Sequence, residues 1–247
     1  MKHRLLALVS GGMMFMHFDR QASAVEYTNV LFAGKRATVC RVQLPQDSLQ
    51  LFLRDDAGRP LRSFAGVERW LQPRSRRLVF AMNAGMYHEN GSPVGLCVIG
   101  GREITPLNTG KGDGNFFLQP NGVFLISTNE VRVTTTTEYA ALREKVLLAT
   151  QSGPLLVHRG RIHPAFRRES TSRYIRNAVG VPSRQVALFV ITEDPVSFHE
   201  LAVLLRDELH CPDALFLDGA ISSLHAPALH RSDRRADLGP IIGVVTP

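Results

Sequence analysis

Residues 214–223 read Ala-Leu-Phe-Leu-Asp-Gly-Ala-Ile-Ser-Ser. The first four form a short continuous apolar run, the pattern of a strand buried on both faces. Asp218 stands at the end of that run, Gly219 supplies a turn, and the hydroxyls of Ser222 and Ser223 follow at once. Polar groups gathered just past a buried strand are held by rigid backbone yet open to a ligand. An Asp-Gly turn with solvated serines would give the same letters. The segment therefore gains weight only from others like it.

Immediately upstream, residues 197–209 carry the strongest helical pattern in the chain. Ser197 and Glu200 make a Ser-x-x-Glu capping box, and Phe198, Leu201, Ala202, Leu205 and Leu209 fall on one face. This helix leads through His210-Cys211-Pro212 into the Asp218 strand, so helix and strand form one supporting unit. Weaker helical patterns cover 61–71 and 138–146. Strand patterns are far more numerous: 29–32, 37–44, 49–53, 77–81, 116–118, 122–127, 130–136, 147–150, 155–158, 178–181, 185–192, 215–217 and 241–245. Residues 95–104 read as a hairpin turned by Gly100-Gly101. Strands outnumber helices without regular alternation. That predicts an α+β fold, a single domain with a mixed β-sheet core and a few helices, rather than a doubly wound sheet.

The chain has 247 residues, enough for one sizeable core. With 44% apolar and 21% charged residues it has the composition of a globular protein. No apolar run reaches the roughly 18 residues of a membrane span. Lys2, His3 and Arg4 open the chain, an apolar stretch follows to Met16, and Ala22-Ser23-Ala24 fits a signal peptidase site. Residues 1–24 are expected to be a signal peptide and 25–247 the working domain, exported to the periplasm or secreted. The formal charge is +7, and removal of residues 1–24 lowers it by two. A modest positive field favours anionic ligands. No zinc-finger spacing or interleaved basic and aromatic pattern points to nucleic acid. Cys40, Cys97 and Cys211 are too few and too far apart for a disulfide scaffold. Either one pair bridges or all three are small buried hydrophobes.

Four further segments could carry chemistry. At the end of strand 77–81, Asn83-Ala84-Gly85 offers a carboxamide among small residues that permit close backbone approach. Residues 110–115 alternate glycine with polar residues and precede Pro120-Asn121-Gly122. No helix start or Gly-Lys-Ser/Thr follows, so no nucleotide loop is indicated and a flexible hairpin turn is expected. Gln151-Ser152-Gly153-Pro154 is a polar break between apolar runs, a bulge or a site wall. Between residues 159 and 176 lie six arginines, of which Arg176 directly precedes an apolar run and is best placed to point inward. A guanidinium suits phosphate because its planar fork donates two parallel hydrogen bonds. The histidines lack metal-ligand spacing, and no Gly-x-Ser-x-Gly elbow is present.

Taken in order, these segments resemble the phosphodiester glycosidase family. The resemblance is carried by residues 83–87, 114–116, 120–123 and 151–156, by Arg176, by residues 200–202, and by residues 217–222. It covers roughly residues 75–225. Two departures stand out: Ala84 and Ala220 occupy positions where the family has Gly. The resemblance implies a hydrolase that cleaves the glycosidic C1–O bond of a sugar-1-phosphodiester in a glycan or cell-envelope component. Asp218 would be nucleophile or general base and Arg176 the phosphate holder. Asn83, Gly85, Asn121, Ser152, Gly153, Gly219 and Ser222 would line the substrate. Glu200 has its cap as a structural reason to be Glu. No cofactor or metal site is expected, a divalent cation recruited by Asp218 being left open. The partner is a sugar phosphate or anionic glycan, with no nucleic acid and no membrane segment in the mature chain. The oligomeric state is undetermined. The alternative is a non-catalytic periplasmic binding module for anionic glycans, which the two Gly-to-Ala departures motivate.

Overall fold

Among the residues that the computed structural model describes, seventeen strands in three antiparallel sheets account for most of the regular structure. The structure describes residues 25–128, 130–219 and 221–246. The expected signal peptide and Ala220 lie outside the described residues.

The first sheet joins β1 (Glu26–Phe32), β2 (Lys35–Gln43), β13 (Val186–Thr192), β12 (Asn177–Ser183), β14 (Asp213–Phe216), β10 (Leu155–His158) and β11 (Arg161–Ile162), in that order. The second runs β16 (Arg231–Ser232), β15 (Leu224–Ala226), β4 (Arg77–Asn83), β17 (Ile241–Thr246), β3 (Leu49–Phe52). The third runs β6 (Arg102–Thr105), β5 (Cys97–Ile99), β9 (Leu148–Ser152), β7 (Gly122–Ser127), β8 (Glu130–Thr135).

Period-two alternation explains why so many strands are apolar throughout. In β13, Ala187, Phe189 and Ile191 face a core shared by all three sheets, while Leu188 and Val190 face α3 (Phe198–Val203). In β7, Phe124 and Ile126 enter the shared core, and Val123 and Leu125 pack under Tyr139 and Leu142. In β4, Phe80 and Met82 enter the shared core, and Ala81 faces α1 (Phe64–Leu71). Phe80, Phe189 and Phe124, one from each sheet, meet with ring centroids 5.1 and 5.7 Å apart. Each sheet thus shares one face and has the other covered by a helix or loop.

Three expectations need correction. Residues 116–118 are not a strand. Asn115–Phe117 form a 3₁₀ turn, entered through Gly114 at φ +89°, with Phe116 as its buried residue. The helix expected over 138–146 is α2 (Thr136–Ala140), which starts earlier and stops sooner. Its start is fixed by a capping box between Thr135 and Glu138. Residues 110–115 are not a hairpin turn, because β6 and β7 on either side are not neighbours in their sheet. The capping box of α3 matches the expectation: Ser197 N–H donates to Glu200 at 2.8 Å, and Glu200 N–H to Ser197 Oγ at 3.2 Å. All three cysteines are buried free thiols, and burial pushes Cys97 and Cys211 up to about 12.

Candidate active site

The site is built where several strands end together. β14 pairs antiparallel with β12, so the end of one lies against the start of the other. Asp218 therefore comes out beside Asn177 and Arg176. β4 from the second sheet ends at Asn83, and β9 from the third ends at Ser152.

Asn177, fully buried, joins the sheets. Its amide nitrogen donates to Asn83 O at 3.1 Å and Asn83 Oδ1 at 3.0 Å. Its amide oxygen accepts from the Asp218 N–H at 3.0 Å and lies 3.4 Å from Ser222 Oγ. Asn83 answers from the other side. Its amide nitrogen donates to Asp218 O at 3.0 Å, and its oxygen also accepts from Ser223 N–H at 2.9 Å. Both polar groups of the Asp218 main chain are thus held by neutral carboxamides. Ser152 Oγ donates to Leu217 O, one residue earlier. The Asp218 side chain is half-buried at the end of this frame.

Arg176 is 2% exposed. Its guanidinium carbon lies 3.8 Å from the centre of the Phe198 ring, 5.2 Å from Tyr174 and 5.5 Å from Phe216. Nε donates to Val196 O at 2.9 Å and Nη2 to Ser172 O at 3.2 Å. Among the described residues no carboxylate pairs with it. Burial holds its pKa down at about 10. The other arginines of the 159–176 segment behave as surface charges: Arg159 pairs with Glu138 and Arg173 with Glu200, while Arg167 and Arg168 are exposed.

Several residues expected to touch substrate are committed to the protein itself. The Asn121 amide donates to Phe116 O at 2.9 Å and accepts from Thr136 Oγ1 at 2.6 Å, with 1% exposure. Gly85 closely approaches β9: a Cβ there would sit 2.3 Å from Gln151 O. At Gly153 a Cβ would meet Phe116 O at 2.7 Å, and at Gly219 the Phe216 ring at 2.7 Å. Ser222 Oγ lies 3.3 Å from the carbonyls of Ile175, Asp218 and Gly219. These residues shape the strand ends from within. Ala84 is equally internal, its methyl in the shared core and its N–H bonded to Pro240 O at 2.8 Å.

Sequence reasoning overlooked two members. Asn177 was legible only as the residue after Arg176. Tyr87 hydrogen-bonds Asp237 O at 2.5 Å, and its hydroxyl is pushed up to about 12 by burial first and then by the charges of Asp218 and Asp237. Gln151 pins the loop over β9, accepting from Leu96 and Asn108 N–H at 3.0 and 2.9 Å and donating to Asn108 O at 2.7 Å. No group of three or more His, Cys, Asp or Glu among the described residues is arranged to hold a metal ion.

Comparison with known proteins places the chain in a family and a fold. Residues 76–239 match the phosphodiester glycosidase family. The Escherichia coli (strain K12) protein named "Uncharacterized protein YigE" is 34% identical over 145 residues, covering 59% of this chain and 57% of that protein. This chain thus aligns with little more than half of that relative's length. The fold is similar to that of the zebrafish N-acetylglucosamine-1-phosphodiester alpha-N-acetylglucosaminidase catalytic domain, auto-inhibited by its pro-peptide. There the TM-score is 0.62 at 13% identity, over 90% of this chain and 82% of that one. A hypothetical protein from Synechocystis superposes with a TM-score of 0.52 at 15% identity, over 90% of this chain and 61% of that one. With most of its strands and every strand end of the site inside the matched segment, the chain belongs to the phosphodiester glycosidase family.

Proposed function

We propose that this protein hydrolyses the C1–O bond of a sugar-1-phosphodiester, with Asp218 as nucleophile or general base and Arg176 as the residue that holds the phosphate. The observation that carries the reading is Arg176: a buried cation stacked on an aromatic ring, without a carboxylate partner among the described residues, one residue from the amide that fixes Asp218. A buried charge without a counter-ion is costly, and a bound phosphate would supply one. Three of the five guanidinium N–H groups remain for it, since Nε and one Nη2 hydrogen are used.

The chemistry suits a single carboxylate. A phosphate leaves as a stable anion, so the general acid of ordinary glycosidases is less needed. What remains is to stabilise the oxocarbenium-like carbon and the departing negative charge. Asp218 faces the first task and Arg176 the second. Asn83, Asn177, Ser152 and Ser222 serve by fixing the backbone that presents Asp218. Action outside the cytoplasm is part of the proposal and rests on the pattern in residues 1–24 alone.

The test is release of free sugar from a panel of sugar-1-phosphodiesters and UDP-sugars by the wild type and by Asp218→Asn. Asp218→Asn is expected to lose about 10³-fold or more in turnover with its melting temperature nearly unchanged. Saturable binding without turnover by the wild type would make the protein a binding module. Full activity in Asp218→Asn would remove Asp218 from the chemistry.

A further inference from the structure

A groove of about 530 Å³ opens between the start of α1 and the loop 232–238, and Arg69, Arg234 and Arg235 line it. All three are exposed and none forms an ion pair among the described residues. The acids of the same loop are already neutralised. Asp233 is held by Arg231 at 3.0 Å and by Leu224 N–H at 3.0 Å, and Asp237 by Arg62 at 2.7 Å. The groove therefore presents net positive charge with donors to spare, where a planar guanidinium can grip phosphate oxygens in pairs.

Its position ties it to the candidate site. Tyr87, whose hydroxyl feels the charge of Asp218, hydrogen-bonds Asp237 O at the groove's edge. Gly239, just past the loop, passes so close to the Tyr87 ring that a Cβ would sit 2.3 Å from it. Ile221, three residues after Asp218, packs into the cluster of Phe64 and Leu238, both of which line the groove. Tyr87 and Ile221 thus connect the Asp218 segment with the wall of the groove.

We propose that this groove is a subsite for a second anionic group, a phosphate farther along the aglycone of the phosphodiester substrate. The inference rests on the hydrolase reading above for its substrate, and on the groove alone for its anion. It makes the preferred substrate a glycan or chain bearing more than one phosphate, rather than a simple mono-phosphodiester.

Binding separates the two readings without requiring turnover. The full chain, R234Q/R235Q and R167Q/R168Q would be titrated with inorganic tripolyphosphate and with orthophosphate at low ionic strength by calorimetry. Arg167 and Arg168 are exposed too and are not among the residues lining the groove, so their loss controls for net charge. R234Q/R235Q is expected to weaken tripolyphosphate binding about tenfold, and R167Q/R168Q less than about twofold. Orthophosphate affinity should be the same in all three. Equal weakening by both pairs, no weakening by R234Q/R235Q, or no measurable tripolyphosphate binding by the wild type would each overturn the subsite. Hydrolysis of a simple mono-phosphodiester by R234Q/R235Q is a separate readout. Failure of the wild type to hydrolyse any sugar-1-phosphodiester, whether it carries one phosphate or several, would defeat the hydrolase reading while leaving the anion groove supported.

Discussion

Replacing Arg176 with Met separates a structural arginine from one kept for a ligand. Its pKa stands at about 10 instead of 12.5, and at about 1.4 kcal/mol per pKa unit burial disfavours the charged form by about 3 kcal/mol. Offsetting this are hydrogen bonds to Val196 O and Ser172 O and the stacking on Phe198 at 3.8 Å. Together they are worth about 3–4 kcal/mol. The balance is close to zero. Met fills much of the same volume against Phe198. It leaves Val196 O satisfied, because Tyr174 N–H already donates to that carbonyl at 3.1 Å. Arg176→Met is therefore expected to change unfolding free energy by no more than about 1 kcal/mol, a melting shift within about 4 °C. Phosphate affinity and turnover should fall by about 10²-fold or more. Thermal unfolding by circular dichroism, with orthophosphate titration on the same samples, decides it. A loss of 3 kcal/mol or more would make Arg176 a structural element, and unaltered phosphate binding would remove it from the site.

Three further expectations concern buried groups elsewhere in the fold and in the frame around Asp218. Asn177→Ala removes donors and acceptors from Asn83 and the Asp218 N–H in a fully buried place, and should cost about 2–5 kcal/mol in chemical denaturation; a cost under 0.5 kcal/mol would contradict the network. Gly85→Ala places a methyl 2.3 Å from a main-chain carbonyl and 2.6 Å from Thr150 Oγ1, and should destabilise by about 1–3 kcal/mol; an unchanged melting temperature would refute the close packing. Burial lowers the pKa of both His163 and His225 below the ordinary 6.5. The unfolded chain then takes up protons near pH 6.5 that the folded chain refuses until lower pH, so stability should fall as pH drops from 7 toward 5. His225 meets Phe64, Ser232 and Glu68, and His225→Phe should flatten part of that slope in urea midpoints at pH 7.5 and 5.5. A flat wild-type profile would be inconsistent with two neutral buried imidazoles.

The strands were legible where burial on both faces left an unbroken apolar run, as in β13 and β14, because no polar letter interrupts it. Helix α3 was legible from its cap. The run Phe116-Phe117-Leu118 misled because apolar density alone does not distinguish a strand from a tight turn, and Gly114 at φ +89° turned the chain there. The pattern over 138–146 misled for a related reason. Leu142 and Val146 have helical spacing, yet they pack on the third sheet from beyond the end of α2. The readable signal was the Thr135–Glu138 cap. Asp218 and Arg176 could be singled out because each adjoins a strand-like run. Asn177 could not, because its partner Asn83 lies 94 residues away and nothing local marks the pair.

That hidden pair bears on what the site can do. The groups fixing the Asp218 backbone are carboxamides and hydroxyls, from Asn83, Asn177, Ser152 and Ser222, and none of these side chains titrates in the working pH range. Rigid neutral dipoles hold the strand end without adding a further charged side chain to it. A scaffold built from ion pairs would place further charges beside both Asp218 and Arg176 and blunt the field a phosphodiester meets. Neutral fixing leaves the backbone polar groups of Asp218 already satisfied; under the proposed hydrolysis the carboxylate would then serve the sugar carbon and the guanidinium the phosphate. Ala84, which the resemblance set apart as a departure from Gly, is accounted for by packing. Its side chain packs in the shared core, and the close approach made at this strand end is that of Gly85 to β9.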